Sequence, residues 1–202
     1  MDLQALRRLA RYLAGKPRLV YRFAWEEAPC LTVFSDTDYA GCRVTRRSTS
    51  GGCACYGDHL VKHWSSTQKS VTLSSGEAEL SGLVKAAAEG LGLQSLAADL
   101  GLKTQLRLCA DSSAAIGICR RSGIGRVRQL AVGQLWVQER LRAGAFTLAK
   151  IRGEVNTADL LTKHVPTAVM QAHVKALGLL PLTGRAETAP AAITGVDARM
   201  AA

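Results

Sequence analysis

The sequence predicts an α/β fold, a sandwich of helices on a mixed sheet, and three observations carry that reading. Three strand-like segments come early, and two of them flank Gly57-Asp58 in the manner of a hairpin. A long helical pattern then runs from about Ser75 to Leu100. The rest reads strand, helix, helix, strand, helix, which is not the regular alternation of a βαβ array.

Taken in order, residues 3–15 place Leu3, Leu6, Leu9, Ala10 and Leu13 at helical spacing with Arg7, Arg8 and Arg11 between them. Gly15-Lys16-Pro17 ends that helix. A strand-like run from Leu19 to Trp25 leads into Glu26-Glu27-Ala28-Pro29, which reads as a linker. Strands are expected from Leu31 to Ser35, Gly52 to Tyr56 and His59 to Ser65. The long helix carries Leu80, Leu83, Val84, Ala87 and Leu91 on one stripe. Leu106 to Ala110 alternates as a half-buried strand, and a short helix from Ser113 to Arg121 precedes a Gly/Arg loop at 122–128. A further helix carries Leu130, Trp136, Val137 and Leu141, Ala145 to Ile151 is the last expected strand, and Asn156 opens a final helical segment. From about Pro181 the composition turns to Pro, Gly, Thr and Ala, which predicts a disordered tail.

With 202 residues, the chain suits one domain with appendages. A hydrophobic share of 48% with 21% charged residues excludes a disordered or fibrous chain. Its apolar runs are too short to span a bilayer, and the first residues lack a signal-peptide apolar stretch, so neither a membrane nor secretion is expected. The formal charge of +10 points to a polyanionic partner, nucleic acid first. Six cysteines at these spacings, in a chain read as neither small nor secreted, are expected to stay reduced. The four histidines supply no pattern for a structural zinc.

Three aspartates stand where elements end or begin: Asp36, Asp111 and Asp159. Asp36 and Asp111 each follow an apolar strand, and parallel neighbours of that kind could share a divalent cation. Each could equally cap a helix or turn, and Asp111 before Ser112-Ser113 makes a good cap. Ser74-Ser75-Gly76-Glu77 fits a capping box, which gives Glu77 a structural task and leaves Glu79 near the apolar stripe. A carboxylate there is costly unless compensated, though helical phase alone does not separate the two glutamates.

Four blocks, FSDTDYAGCRVTRRSTSGG, KHWSSTQKSVTLSSGEAEL, CADSSAAI and NTADLLTKHV, resemble the ribonuclease H domain of copia-type retrotransposon polyproteins. They cover about residues 32–165 in the family's order. The N-terminal LRRLARYLAGKP is similar to the segment that follows the reverse transcriptase in those polyproteins. The resemblance implies a ribonuclease H-like fold with a five-stranded mixed sheet flanked by helices over 29–165. Residues 1–28 are then a helix and linker, and 166–202 a helix and tail. It implies metal-binding catalytic carboxylates at Asp36, Glu79, Asp111 and Asp159, with Glu79 preferred over Glu77 because Leu80 and Gly82 follow it as in the family. Two Mg²⁺ ions, replaceable by Mn²⁺, would serve phosphodiester hydrolysis, and a cluster of hard carboxylate oxygens suits them. The implied substrate is the RNA strand of an RNA–DNA hybrid, distinguished by ribose 2′-hydroxyls and hybrid shape. The implied partner is the reverse transcriptase region of the same polyprotein, and the implied place is the cytoplasmic retroelement particle or the nucleus.

Arg43, Arg46, Arg47, Ser48 and Thr49 follow the first aspartate and are candidates for phosphate contacts, with Lys62, Lys69, Arg126 and Arg128 weaker ones. Trp64 and Trp136 read as core. The chain departs from the family at Arg128-Gln129-Leu130-Ala131 and Leu135, where relatives carry Lys-His-Ile-Asp and a later His. It also lacks the histidine loop of cellular ribonucleases H, since Arg152-Gly153-Glu154-Val155 runs directly to Asn156. A catalytically decayed module that only binds nucleic acid is therefore the second reading. A strand-transfer nuclease is the third, disfavoured by the copia-like strings.

Overall fold

The computed structural model of the chain describes residues 3–26, 30–123, 125, 132–184 and 186–187. These fall into two units, one made of the residues up to Tyr21 with those from Leu179 onward, the other Arg22–Gly178. The smaller unit begins with helix α1 (Leu3–Gly15), in which no residue is buried, and strand β1 (Arg18–Tyr21).

Strand β1 stops at Tyr21, short of the expected Trp25, because the next residues bond to a turn instead. His59 Nε2 lies 2.7 Å from the Ala24 carbonyl, and the Asp58 N–H donates to Glu26 Oε1 over 2.8 Å. Of the expected linker, residues 27–29 lie outside the described residues.

The larger unit is built on β2 (Cys30–Asp38), β3 (Thr49–Tyr56) and β4 (His59–Thr67), joined in antiparallel order. Tyr56 pairs with His59, so Gly57-Asp58 is the predicted two-residue turn, with Gly57 at φ 57°. Helix α2 (Ser75–Asp99) then crosses over to β5 (Gln105–Ala110), which lies parallel to β2. Helices α3 (Ser113–Arg120) and α4 (Val132–Arg142) lead to β6 (Thr147–Lys150), parallel to β5. The sheet order is β4-β3-β2-β5-β6. The predicted α/β class on a five-stranded mixed sheet flanked by helices is thus what the chain forms.

Val33, Leu80, Leu83 and Leu108 are fully buried between α2 and the sheet. Trp64 belongs to this core and Trp136 packs against it, as expected of both. The helix expected to carry Leu130 is α4, but Leu130 lies outside the described residues. All six cysteines are free thiols. Among the described residues no helix is long and apolar enough to cross a membrane.

After β6 the expected single helix is two elements. A 3₁₀ turn at Thr157–Leu161 follows Asn156, and helix α5 (Thr167–Ala176) comes later. The last strand is not β6 but β7 (Leu179–Leu182), which pairs antiparallel with β1 in the smaller unit. Pro181 sits opposite Leu19 there, a place a two-stranded ribbon tolerates because one strand edge is free. The chain is therefore ordered past the point where its composition predicts a tail, and residues 188–202 lie outside the described ones.

Candidate active site

Asp36 lies inside β2, two residues beyond the last strand pair with β5, Phe34 with Cys109. Asp111 lies two residues beyond the same pair on the neighbouring chain segment. Parallel pairing therefore brings the two aspartates level at the C-terminal edge of the sheet, where side chains point into a crevice. The sequence places Asp36 at a strand's end. Instead β2 continues to Asp38, because Asp36, Thr37 and Asp38 still pair with Gly51, Ser50 and Thr49 of β3.

The capping roles go to neighbours. Ser112 is the N-cap of α3, its hydroxyl accepting from the Ala115 N–H over 3.3 Å, which leaves the Asp111 carboxylate free. Asn156 caps the 3₁₀ turn by accepting from the Ala158 N–H over 3.3 Å, which frees Asp159 in the same way. On α2, Ser74 accepts from the Glu77 N–H over 3.2 Å, and Glu77 Oε2 accepts from the Leu73 N–H over 2.9 Å. Glu77 is thus held at the helix start, but its carboxylate takes the Leu73 amide, one residue before the Ser74 N-cap amide that a capping box uses.

Glu79 faces the sheet. It shares a helix face with Gly82, Ala86 and Gly90, and these small residues let α2 lie close to β2. Glu79 Oε2 is buried without a hydrogen-bond partner. Burial first, then the charges of Asp36 and Asp111, push its pKa up to about 8. Burial followed by the Asp36 charge also raises Asp111. One carboxylate oxygen from each of Asp36, Glu79 and Asp111 lies within 4.8 Å of the others. Hard oxygens at this separation, one of them orphaned and desolvated, fit a divalent cation.

Asp159 is nearby but turned to a different partner. Its Oδ1 stands 3.0 Å from Lys163 Nζ, which also reaches to 3.6 Å from Asp36 Oδ1. Thr162 Oγ1 donates to Asp36 Oδ2. Burial raises Asp159 to about 6 despite the Lys163 hydrogen bond. Burial works against the Lys163 charge, yet Asp159, Asp36 and Asp111 outweigh it and raise its pKa. Asn156 Nδ2 donates to the Ser35 carbonyl over 3.0 Å and so ties the turn to β2 beside Asp36. A Cβ at Gly51 would stand 2.7 Å from Thr162 Cγ2, so only glycine admits this turn against β3.

In the sequence Asn156 marks only the start of a helical segment, and neither Thr162 nor Lys163 stands out as part of a site. The four-residue step from Asp159 to Lys163 was the available signal, since it sets an acid and a base on one side of a helical turn. His173 carries no such signal in the sequence. It is buried on α5, and burial, then the Lys163 charge, lower its pKa.

Of the candidate phosphate contacts, Arg43, Arg46 and Arg47 are exposed on the loop after β2. Ser48 is buried, and its hydroxyl accepts from the Ala40 N–H over 3.0 Å, so it braces that loop from inside. The Thr49 N–H donates to Asp38 Oδ1 over 3.3 Å. Lys62 pairs with Glu89 at 2.6 Å, and Lys69 is exposed. Arg126, Arg128 and the divergent stretch 128–131 lie outside the described residues.

No family model matches the chain. It is 28% identical over 180 residues to the retrovirus-related Pol polyprotein from transposon RE1 of Arabidopsis thaliana, covering 88% of this chain. It is 29% identical over 165 residues to the retrovirus-related Pol polyprotein from transposon TNT 1-94 of Nicotiana tabacum, covering 81% of this chain. Both of these relatives are retrotransposon Pol polyproteins. The resemblance in the sequence is borne out, and the chain spans 12% of the length of each of these two homologues. Among solved structures, the chain is similar to RNase H1 from Halobacterium salinarum NRC-1, with a TM-score of 0.48 and 18% identity over 65% of this chain and 93% of that one. It is also similar to the N-terminal RNase H domain of rv2228c from Mycobacterium tuberculosis, with a TM-score of 0.44 and 19% identity over 74% of this chain and 99% of that one.

Proposed function

We propose that this Pol-like chain is a metal-dependent endonuclease that hydrolyses the RNA strand of RNA–DNA hybrids during retrotransposon reverse transcription. The observation that carries it is the convergence of Asp36, Glu79 and Asp111 from three separate elements to within 4.8 Å. In this reading Asp36, Glu79, Asp111 and Asp159 hold two Mg²⁺ ions, or Mn²⁺ in their place. Bound there, the ions supply an activated water and charge stabilisation on the reacting phosphate.

The chain's own part is positioning. Asp36 presents an oxygen from β2, Asp111 one from just beyond the end of the adjacent β5, and Glu79 one from α2. Burial and the charges of Asp36 and Asp111 favour the protonated form of Glu79, and a divalent ion held there would favour its carboxylate. Arg43, Arg46 and Arg47 extend towards solvent on the loop after β2, where guanidinium groups can meet hybrid phosphates. The overall charge of +10 draws the polyanion to an otherwise acidic centre. The partner expected in the particle is the reverse transcriptase region of the same polyprotein.

The deciding assay incubates purified chain with an RNA–DNA hybrid and Mg²⁺ or Mn²⁺. Cleavage of the RNA strand is expected, abolished in Asp36→Asn and in Asp111→Asn while hybrid binding persists. A folded chain that binds hybrid and never cuts it at any metal concentration would establish the non-catalytic binding module instead.

A further inference from the structure

The carboxylate centre already contains a cation of the chain's own, and its geometry separates the four acids into three and one. Asp36, Glu79 and Asp111 form the close cluster, while Asp159 stands outside it, joined to Lys163 at 3.0 Å. The same ammonium lies 3.6 Å from Asp36 Oδ1, and Thr162 holds the other oxygen of Asp36. Both oxygens of Asp36 are therefore engaged by Thr162 and Lys163. The Lys163 side chain is 46% exposed, against 3% for Asp36 and 11% for Asp159. The lysine can swing into water on its flexible stem, whereas the two aspartates cannot follow it.

We propose that Lys163 is an exchangeable counter-ion of this centre: it bridges Asp36 and Asp159 in the metal-free chain and is displaced by an entering divalent ion, which alone brings Asp159 into the ligand set. The inference rests on the metal site proposed above and adds to it an order of events. An ion held by the cluster of three meets Lys163 only through Asp36, where the ammonium is 3.6 Å away. An ion shared by Asp36 and Asp159 competes with it directly. Lys163 is thus a positioning residue that sets the affinity of one ion site and neutralises the centre when metal is scarce.

The test is a Mn²⁺ titration of the full chain without substrate, followed by electron paramagnetic resonance, with thermal melting in EDTA alongside. Lys163→Met removes the competing charge and is expected to bind Mn²⁺ about two- to fivefold tighter, the factor of an ion pair half open to water. It is also expected to melt at a lower temperature in EDTA. Lys163→Arg keeps a cation in place and is expected to behave as wild type in both measurements. If Lys163→Met does not fold, Lys163→Gln makes the same comparison. Asp111→Asn serves as the control on the metal site itself. Should Asp111→Asn weaken Mn²⁺ binding while removal of the Lys163 charge leaves it unchanged or weaker, the counter-ion role is overturned and the metal site stands. A wild-type chain that binds no Mn²⁺ overturns both.

Discussion

Gly82 on α2 faces Thr37 on β2 so closely that a Cβ there would stand 2.5 Å from Thr37 Oγ1. The contact holds the helix that carries Glu79 down onto the strand that carries Asp36. Gly82→Ala must shift either the buried Thr37 side chain or the helix and is expected to cost about 1–3 kcal/mol, the range for overpacking a tight interior. Metal affinity should fall with it. Gly92→Ala, on the same helix with nothing within 4 Å, is expected to gain about 0.5–1 kcal/mol from helix propensity. Urea denaturation of the two variants, paired with Mn²⁺ titration, checks both halves.

The metal-free chain should lose stability as the solution becomes less acidic. Glu79 ionises at about 8 in the folded chain against an ordinary 4.5, so between these values the folded state holds a proton that the unfolded state has released. The stabilisation that Glu79 contributes is then full below 4.5, falls through the interval, and is gone above about 8, while the lowered pKa of His173 works the other way on the acid side. Asp159, raised to about 6, adds to the fall in its own narrower window. Glu79→Gln should flatten much of this slope in EDTA while removing metal binding and cleavage. Melting temperatures across a pH series, with and without Mg²⁺, test it; an equally steep slope in the variant would count against the burial of Glu79.

Ser112 and Asp111 are neighbours with separate tasks. Ser112→Ala removes the α3 cap and is expected to cost about 1 kcal/mol with cleavage retained. Asp111→Asn is expected to leave stability intact or raised, since it removes a carboxylate whose ionisation burial opposes, and to abolish cleavage. Thermal melting and the hybrid assay together separate the two.

Asn156 is fully buried and uses both ends of its amide, donating to Ser35 O and accepting from the Ala158 N–H. Asn156→Ala removes both of these hydrogen bonds from a buried site and is expected to cost about 1–3 kcal/mol. It should also loosen Asp159 from Asp36, seen as a weaker second Mn²⁺ site in titration.

Much of this was legible in the chain. Strand alternation, the Gly57-Asp58 turn and the apolar stripe at Leu80 and Leu83 are local patterns, so the mixed sheet and its long helix could be read from them. The three acids of the cluster could be chosen only with the motif strings, because an aspartate at a strand end also reads as a cap. Ser112 and Asn156 take those caps, and that competition is decided by which side chain the folded backbone can reach. The strand at Leu179–Leu182 was hidden, since its partner at Arg18–Tyr21 is far away in the chain and its Pro181 argues against a strand.

Fold class, basic character and the acids on offer for a metal site can be read along the chain, because they rest on local pattern and composition. That Glu79 and not Glu77 turns to the sheet, that Asp36 and Asp111 stand level, and that Asp159 is held by Lys163 are outcomes of packing. Local patterns record what a segment prefers. The energy of a carboxylate is set by burial and by neighbouring charges, and those come together only when distant segments pack.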